Sequence, residues 1–224
     1  MCISIWDRVR RAGRTRNTEE DWMTNVIFAT GNENKLKEIR AILSGLDLHV
    51  VSMREAGIDA EIVEDGRTFE ENALIKARTV WKRAGGITMA DDSGLVVDAM
   101  NGEPGIYSAR WMGEDTSYHI KNPEIIRRLE GVPDEKRTAR FVCAIACILP
   151  DGQELTSVGT FEGRIGYQEA GRNGFGYDPI FYLPDRGCTS AELPPDEKNA
   201  ISHRGKALAD MRRKLEALRA EGRL

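Results

Sequence analysis

Two adjacent carboxylates carry the first chemistry in this chain. Asp91 and Asp92 stand in the run Ala90-Asp91-Asp92-Ser93-Gly94-Leu95, between the β-prone stretches Ile87-Thr88-Met89 and Leu95-Val96-Val97. Successive side chains of an extended chain point to opposite sides, so the two acids cannot share one side of a strand. The Gly two residues after Asp92 permits a sharp turn, which places the pair where one strand is expected to end and the next to begin. Hard divalent cations prefer carboxylate oxygens and take waters and substrate phosphates as their other ligands, so a seat for Mg2+ is one reading. A solvated turn is the other, because Asp, Ser and Gly are the common turn formers.

A second constellation precedes it. Thr30-Gly31-Asn32-Glu33-Asn34-Lys35 lies between the apolar run Val26-Ile27-Phe28-Ala29 and the helically spaced Leu36, Ile39, Ile42 and Leu43, giving strand, loop, helix. The N–H groups and partial positive charge at a helix N-terminus suit phosphate oxygens, and the Thr hydroxyl and Lys ammonium add to that. The loop is neither a GxxxxGK[ST] nor a GxGxxG sequence, so it reads either as another kind of phosphate site or as a plain helix start. After the acidic stretch Glu61 to Gly66, Thr68 and Glu71 have capping-box spacing and place a helix start near Thr68. On that helix Asn72 and Lys76 are one turn apart, able to reach a common ligand or simply to face solvent.

A third lies toward the C-terminus. Gly171 to Pro179 interleaves glycines with Phe175 and Tyr177, followed by Asp178. Glycines let a backbone approach a planar ligand and an aromatic ring can stack on a base, so the segment reads as a nucleobase pocket or as a loop with core aromatics. Lys198, His203 and Arg204 come next, near the start of the last helix, where cations oppose the dipole. A bound anion or an electron-rich carbonyl would give them a reason to be there.

The elements that must position these groups follow from patterning. His49-Val50-Val51-Ser52 reads as a strand; Ala73, Leu74, Ala77, Val80 and Trp81 form the buried face of the helix that starts near Thr68. Arg140 to Leu149 is apolar on both alternating faces, the pattern of a strand covered on both sides, and makes Cys143 and Cys147 core residues. The turn Pro150-Asp151-Gly152 and the run Leu155 to Ile165 complete a long antiparallel hairpin. Asn122 to Leu129 suggests a short helix ended by Gly131 and Pro133, while Trp111 to Lys121, with Tyr118-His119-Ile120, is expected to be a loop. Leu208, Met211, Leu215 and Leu218 mark the buried stripe of the last helix.

The whole chain bounds these readings. Its 224 residues suffice for one large domain or two small lobes, and 41% hydrophobic with 30% charged residues is ordinary for a globular protein. A net charge of −4 argues against broad nucleic-acid binding and leaves room for a local basic pocket. No apolar stretch reaches the ~18 residues of a membrane helix and no secretory signal is apparent, so a cytoplasmic location is expected. Cys2, Cys143, Cys147 and Cys188 form no CxxC or zinc pattern and read as free thiols. Residues 1–23, rich in Arg and without apolar periodicity, are expected to be a disordered or non-native extension, with Met23 a candidate true start; residues 24–224 are expected to form a single domain.

TGNxxK, ENAxxKA, ADDSGL, PGIYSAR, GFGYDPIF, TSAEL and SHRGKAL occur in one order across residues 26–215. In this the chain resembles the inosine triphosphate pyrophosphatase family, enzymes that hydrolyse non-standard purine nucleoside triphosphates such as ITP, dITP and XTP. The resemblance implies an α/β fold, elongated and two-lobed, with a long central mixed β-sheet flanked by helices and an active-site cleft between the lobes. It also implies a homodimer and Mg2+-dependent release of pyrophosphate. By position it makes Asp92 the catalytic carboxylate, Asp92 and Glu64 the metal ligands, and Thr30, Gly31, Asn32, Glu33, Asn34, Lys35, Asn72, Lys76 and Ser93 the phosphate contacts. Phe175, Gly176, Tyr177, Asp178, Lys198, His203 and Arg204 would line the base side. A pyrophosphatase acting on pyrimidine or methylated nucleotides and a nucleotide-binding regulator without catalysis are the alternatives; a dinucleotide oxidoreductase is disfavoured by the missing GxGxxG.

Overall fold

The computed structural model describes residues 24–44 and 48–223, so the expectations for residues 1–23 and for Met23 lie outside the described residues. The strands are β1 (Thr24–Phe28), β2 (Leu48–Ser52), β3 (Ile87–Val97), β4 (Thr138–Ile148), β5 (Glu154–Ile165), β6 (Phe181–Leu183) and β7 (Cys188–Thr189). The helices are α1 (Glu33–Leu43), α2 (Phe69–Ala84), α3 (Tyr118–Arg128), α4 (Pro195–Ile201) and α5 (His203–Ala220). The sheet order is β2-β1-β3-β4-β5-β6-β7. Strand β1 pairs in parallel with β2 and β3, whereas β6 pairs antiparallel with β5 and β7, so the fold is α/β with a mixed sheet. Two compact units divide the chain: one holds the described residues up to Asp92 with Ala144–Ser157 and the chain from Ala207 onward, the other Ser93–Cys143 and Val158–Lys206.

In the first unit, α2 starts where the sequence places it. Thr68 caps the helix by accepting from the Glu71 amide at 3.1 Å, while the Glu71 carboxylate reaches back to the Arg67 amide at 2.6 Å rather than to the cap residue itself. Ala73, Ala77 and Val80 are fully buried against Ile27, Val51, Ala144, Ala146 and Ile148. Trp81 is only partly buried; its indole N–H donates to the Leu149 carbonyl at 3.0 Å, tying α2 to the β4–β5 turn. The turn itself closes with Leu149 N–H to the Gln153 carbonyl at 2.9 Å. The α5 stripe of Leu208, Met211, Leu215 and Leu218 is buried as the spacing predicts.

The second unit is built on Leu95, Val97, Ile125, Leu129, Phe141, Phe161, Ile180 and Phe181. Truncating a buried Phe such as Phe141 to Ala would cost roughly 3–5 kcal/mol, so this aromatic cluster is a large part of that unit's stability. Cys143 and Cys147 on β4 are buried free thiols, as the two-faced apolar pattern implies.

Three local expectations are corrected. Strand β3 runs without a break from Ile87 to Val97 through the two aspartates and Gly94, so there is no turn at Ser93-Gly94. Each aspartate instead meets a lysine, which removes the need for solvent that would have favoured a turn. Helix α3 begins at Tyr118, capped by Ser117 accepting from the His119 amide at 3.3 Å, so the expected loop is helical from that residue on. Lys198 belongs to a separate helix, α4, which ends at Ser202 in extended backbone; there the Ser202 hydroxyl accepts from the Gly205 amide at 3.1 Å and starts α5.

Candidate active site

The phosphate-like loop leaves β1 and enters α1 through a local cap. Asn32 accepts from the Asn34 and Lys35 amides at 3.0 and 3.1 Å, and the Thr30 hydroxyl accepts from the Asn32 amide at 3.1 Å. The first turn is therefore self-capped, and two of the amides expected to face an anion are already engaged. Glu33 pairs with exposed Arg54 at 3.1 Å, so its carboxylate is turned to the surface and only its backbone suits a phosphate. Lys35 points inward: its ammonium lies 2.5 Å from Asp91, whose side chain is wholly buried.

Asp92, the next residue along β3 and so on the opposite strand face, meets α2. The Lys76 ammonium donates to Asp92 Oδ1 at 2.7 Å, and the Asn72 amide donates to Asp92 Oδ2 at 3.3 Å. The same ammonium lies 3.1 Å from Glu64 in the acidic loop. Asn72 also accepts from the Gly66 amide at 2.9 Å, so one side chain fixes both the loop and the carboxylate. A Cβ on Gly66 would fall 2.7 Å from Asn72 Oδ1 and 2.9 Å from its backbone nitrogen, which explains a glycine there. Burial raises the pKa of Asp92; Lys76 and Lys35 oppose that shift and Glu64 adds to it. For Lys76 burial disfavours the charge, but Asp92, Glu64 and Asp91 outweigh it and the pKa is raised.

These groups fit a divalent cation in one respect. The Lys76 ammonium is itself a cation held by Glu64 and Asp92 together, so the two carboxylates converge on one cation-sized position. Among the described residues no group of three His, Cys, Asp or Glu could hold a metal ion, so further ligands would have to come from water and substrate oxygens, as Mg2+ favours.

The third constellation centres on Asp178. Its Oδ2 accepts from the Lys198 ammonium at 2.6 Å and from the Phe175 amide at 2.8 Å; its Oδ1 accepts from the Ser190 hydroxyl at 2.8 Å. Gly174 has φ +72° and a Cβ there would fall 2.2 Å from Asp178 Oδ2, so the loop folds tightly over this carboxylate. The half-buried Phe175 ring has Lys198 Nζ 5.4 Å and Arg204 Cζ 5.9 Å from its centroid. Arg204 donates to the Ser93 hydroxyl at 3.0 Å, and the His203 ring stacks on Phe141 with centroids 4.9 Å apart.

Tyr177 departs from the expectation of a base contact. It is 3% exposed, its hydroxyl donates to the Ser108 carbonyl at 2.9 Å, and its ring meets Tyr118 edge-on at 5.0 Å. Its side chain is thus part of the core beneath the loop. Sequence reasoning missed Gly66, Ser190 and Tyr118. Ser190 sits inside the quoted TSAEL motif, and that was the only signal available for it.

The arrangement is two buried carboxylates, each paired with a lysine and one also with an amide, in one unit, and in the other a half-buried aromatic ring flanked by cations. The model of the Ham1 family matches residues 26–214. The chain belongs to the Ham1 family. Among its curated relatives are the dITP/XTP pyrophosphatase of Geobacter sulfurreducens, 49% identical over 84% of this chain and 94% of that protein, and that of Bacillus licheniformis, 47% identical over 88% and 98%. Solved structures agree: a HAM1 protein from Coxiella burnetii superposes with TM-score 0.79 at 40% identity, over 87% of this chain and all of that one. A nucleoside-triphosphatase / dITP/XTP pyrophosphatase from Mycobacterium abscessus gives TM-score 0.67 at 44% identity, over 84% and 98%. The Ham1 fold accounts for the seven-stranded mixed sheet and its helices.

Proposed function

We propose that this Ham1 protein hydrolyses non-standard purine nucleoside triphosphates, ITP, dITP and XTP, to the monophosphate and pyrophosphate, and so cleanses the nucleotide pool. The observation that carries the reading is the single ammonium of Lys76 held between Asp92 and Glu64, beside Asn72, in a chain whose relatives are named for this reaction. Hydrolysis between the α and β phosphates needs a water directed at phosphorus, a base for its proton, and positive charge for the oxygens. Asp92 is the base, held in place by Lys76 and Asn72. Lys35 and Lys76, ion-paired to Asp91 and Asp92 here, exchange those partners for substrate phosphates.

Glu64 and Asp92 are the residues that would hold Mg2+. When bound it supplies Lewis acidity to phosphate oxygens and a lowered pKa to water.

On the base side a 6-oxo purine offers an acceptor at O6 and a donor at N1, the reverse of adenine. Arg204 or His203 donates to O6, and Asp178, hydrogen-bonded to Lys198, accepts from N1. An unpaired buried polar group costs ~1–3 kcal/mol, about tenfold to a hundredfold in discrimination for each contact. Phe175 supplies the stacking face. The remaining elements of the reading are a homodimer, a cytoplasmic location and no nucleic-acid partner; among the described residues no helix is long and apolar enough to cross a membrane.

The test is pyrophosphate release from ITP, dITP, XTP, GTP, ATP and dTTP, with Mg2+ and after chelation. Rapid release from ITP, dITP and XTP, abolished by chelation and restored by Mg2+, is expected. Equal rates with all six would remove the purine reading.

A further inference from the structure

We infer that Asn122 is a positioning residue for base recognition, acting through the peptide carbonyl of Gly176. The inference rests on the reading of the Phe175 loop as the base side of the site.

Asn122 lies on α3, 2% exposed. Its side-chain N–H2 donates to the Gly176 carbonyl at 3.2 Å and to the Glu169 carboxylate at 2.8 Å. Both partners are pure acceptors, so only one orientation of the amide satisfies them. Its Oδ1 is buried without a hydrogen-bond partner. A leucine would fill similar space without leaving an oxygen unsatisfied, so what the amide adds is its two donors.

Those donors act where the loop is easiest to deform. Gly174 and Gly176, at φ +72° and +68°, flank Phe175. A peptide beside a left-handed glycine flips at little steric cost, and each flip would swing the neighbouring ring. Asp178 pins the Phe175 amide on one side of the ring, and Asn122 pins the Gly176 carbonyl on the other. Tyr118, one turn before Asn122, supports the same spot: a Cβ on Gly176 would sit 3.5 Å from its ring. Helix α3 thus buttresses the loop that carries the stacking ring. Loss of the Asn122 donor frees the Gly176 peptide and misaligns Phe175 with Lys198 and Arg204, while the Asp92, Lys35 and Lys76 group is left as it is.

The test is Asn122→Leu, with Glu169→Ala as a surface variant that keeps the fold. Three measurements are made: IMP affinity by calorimetry, KM and kcat for ITP and ATP, and amide hydrogen exchange across residues 173–178. For Asn122→Leu, IMP affinity is expected to weaken about tenfold, the lower end of what base stacking contributes. KM for ITP rises in step and the ITP-over-ATP preference falls, while kcat for ITP stays within about twofold and exchange in the loop accelerates. Glu169→Ala shifts the same quantities in the same direction by less. Unchanged IMP affinity and unchanged preference in Asn122→Leu would overturn the inference, as would a loss confined to kcat or to thermal stability. If Asn122→Leu does not fold, unchanged IMP affinity in Glu169→Ala overturns it. Wild-type protein that releases no pyrophosphate from ITP would instead overturn the proposed function, a result distinguishable because it precedes any variant.

Discussion

Lys76 and Asp92 form a buried ion pair, Nζ to Oδ1 2.7 Å, with side chains only 9% and 7% exposed. The pair joins a helix to the middle of a strand, and the ammonium is shared with Glu64. One lysine therefore bridges the two carboxylates proposed to act on the phosphates. Its position leads directly to the first two predictions.

Asp92→Asn keeps the shape of the side chain and removes the base. The kcat for ITP is expected to fall on the order of 10²–10⁴-fold, the usual contribution of a positioned general base. Single-turnover pyrophosphate release measures it; a fall of less than about tenfold would assign the proton to another group.

Lys76→Met removes the cation between Glu64 and Asp92. In nucleotide-free protein the affinity for Mn2+, used as a spectroscopic substitute for Mg2+, is expected to rise by at least about tenfold, or ~1.4 kcal/mol. Electron paramagnetic resonance titration reads it without turnover. Equal affinity in the variant and wild type would show that the ammonium does not compete for the metal position.

Gly174→Ala and Gly31→Ala should differ sharply. At Gly174 the backbone is left-handed and a Cβ would collide with Asp178 Oδ2 and come within 3.0 Å of Lys198 Nζ, whereas at Gly31 nothing lies within 4 Å. Gly174→Ala is expected to lose about 1–3 kcal/mol in urea unfolding and to raise KM for ITP. Gly31→Ala should unfold as wild type does. Similar unfolding of the two would contradict the tight fold of the loop over Asp178.

Asp210 should shape acid stability. It accepts from the Ser157 hydroxyl at 2.7 Å and pairs with Lys214 at 2.8 Å, and the Lys214 hydrogen bond, then that of Ser157, lowers its pKa from 3.8. The folded state thus binds this proton less readily than the unfolded chain. The stabilisation is complete above the unfolded pKa and is lost as pH falls through the lower, folded one. Melting temperatures from pH 6 to pH 3 should fall less steeply in Asp210→Asn than in wild type; parallel curves would refute the assignment.

Much of this was legible beforehand. The Thr68 cap, the two-faced apolar run of β4 and the α5 stripe are local patterns, and local patterns are set by backbone periodicity and nearest neighbours. The helix start after the Thr30–Lys35 loop was legible too, although Asn32 as its cap, engaging the Asn34 and Lys35 amides, was not. Period-two alternation already dictated that Asp91 and Asp92 face opposite ways.

The sequence by itself therefore determined the residue types, the order of the motifs and the helix that carries Asn72 and Lys76. Only the tertiary structure decided the partners: Lys35 for Asp91 and Lys76 for Asp92, Ser190 for Asp178, Asn122 for Gly176. It also decided that β3 passes unbroken through the aspartates. The reason is physical: a buried charge or amide must find a complementary group wherever the packed chain supplies one, and no local pattern records which distant residue that will be.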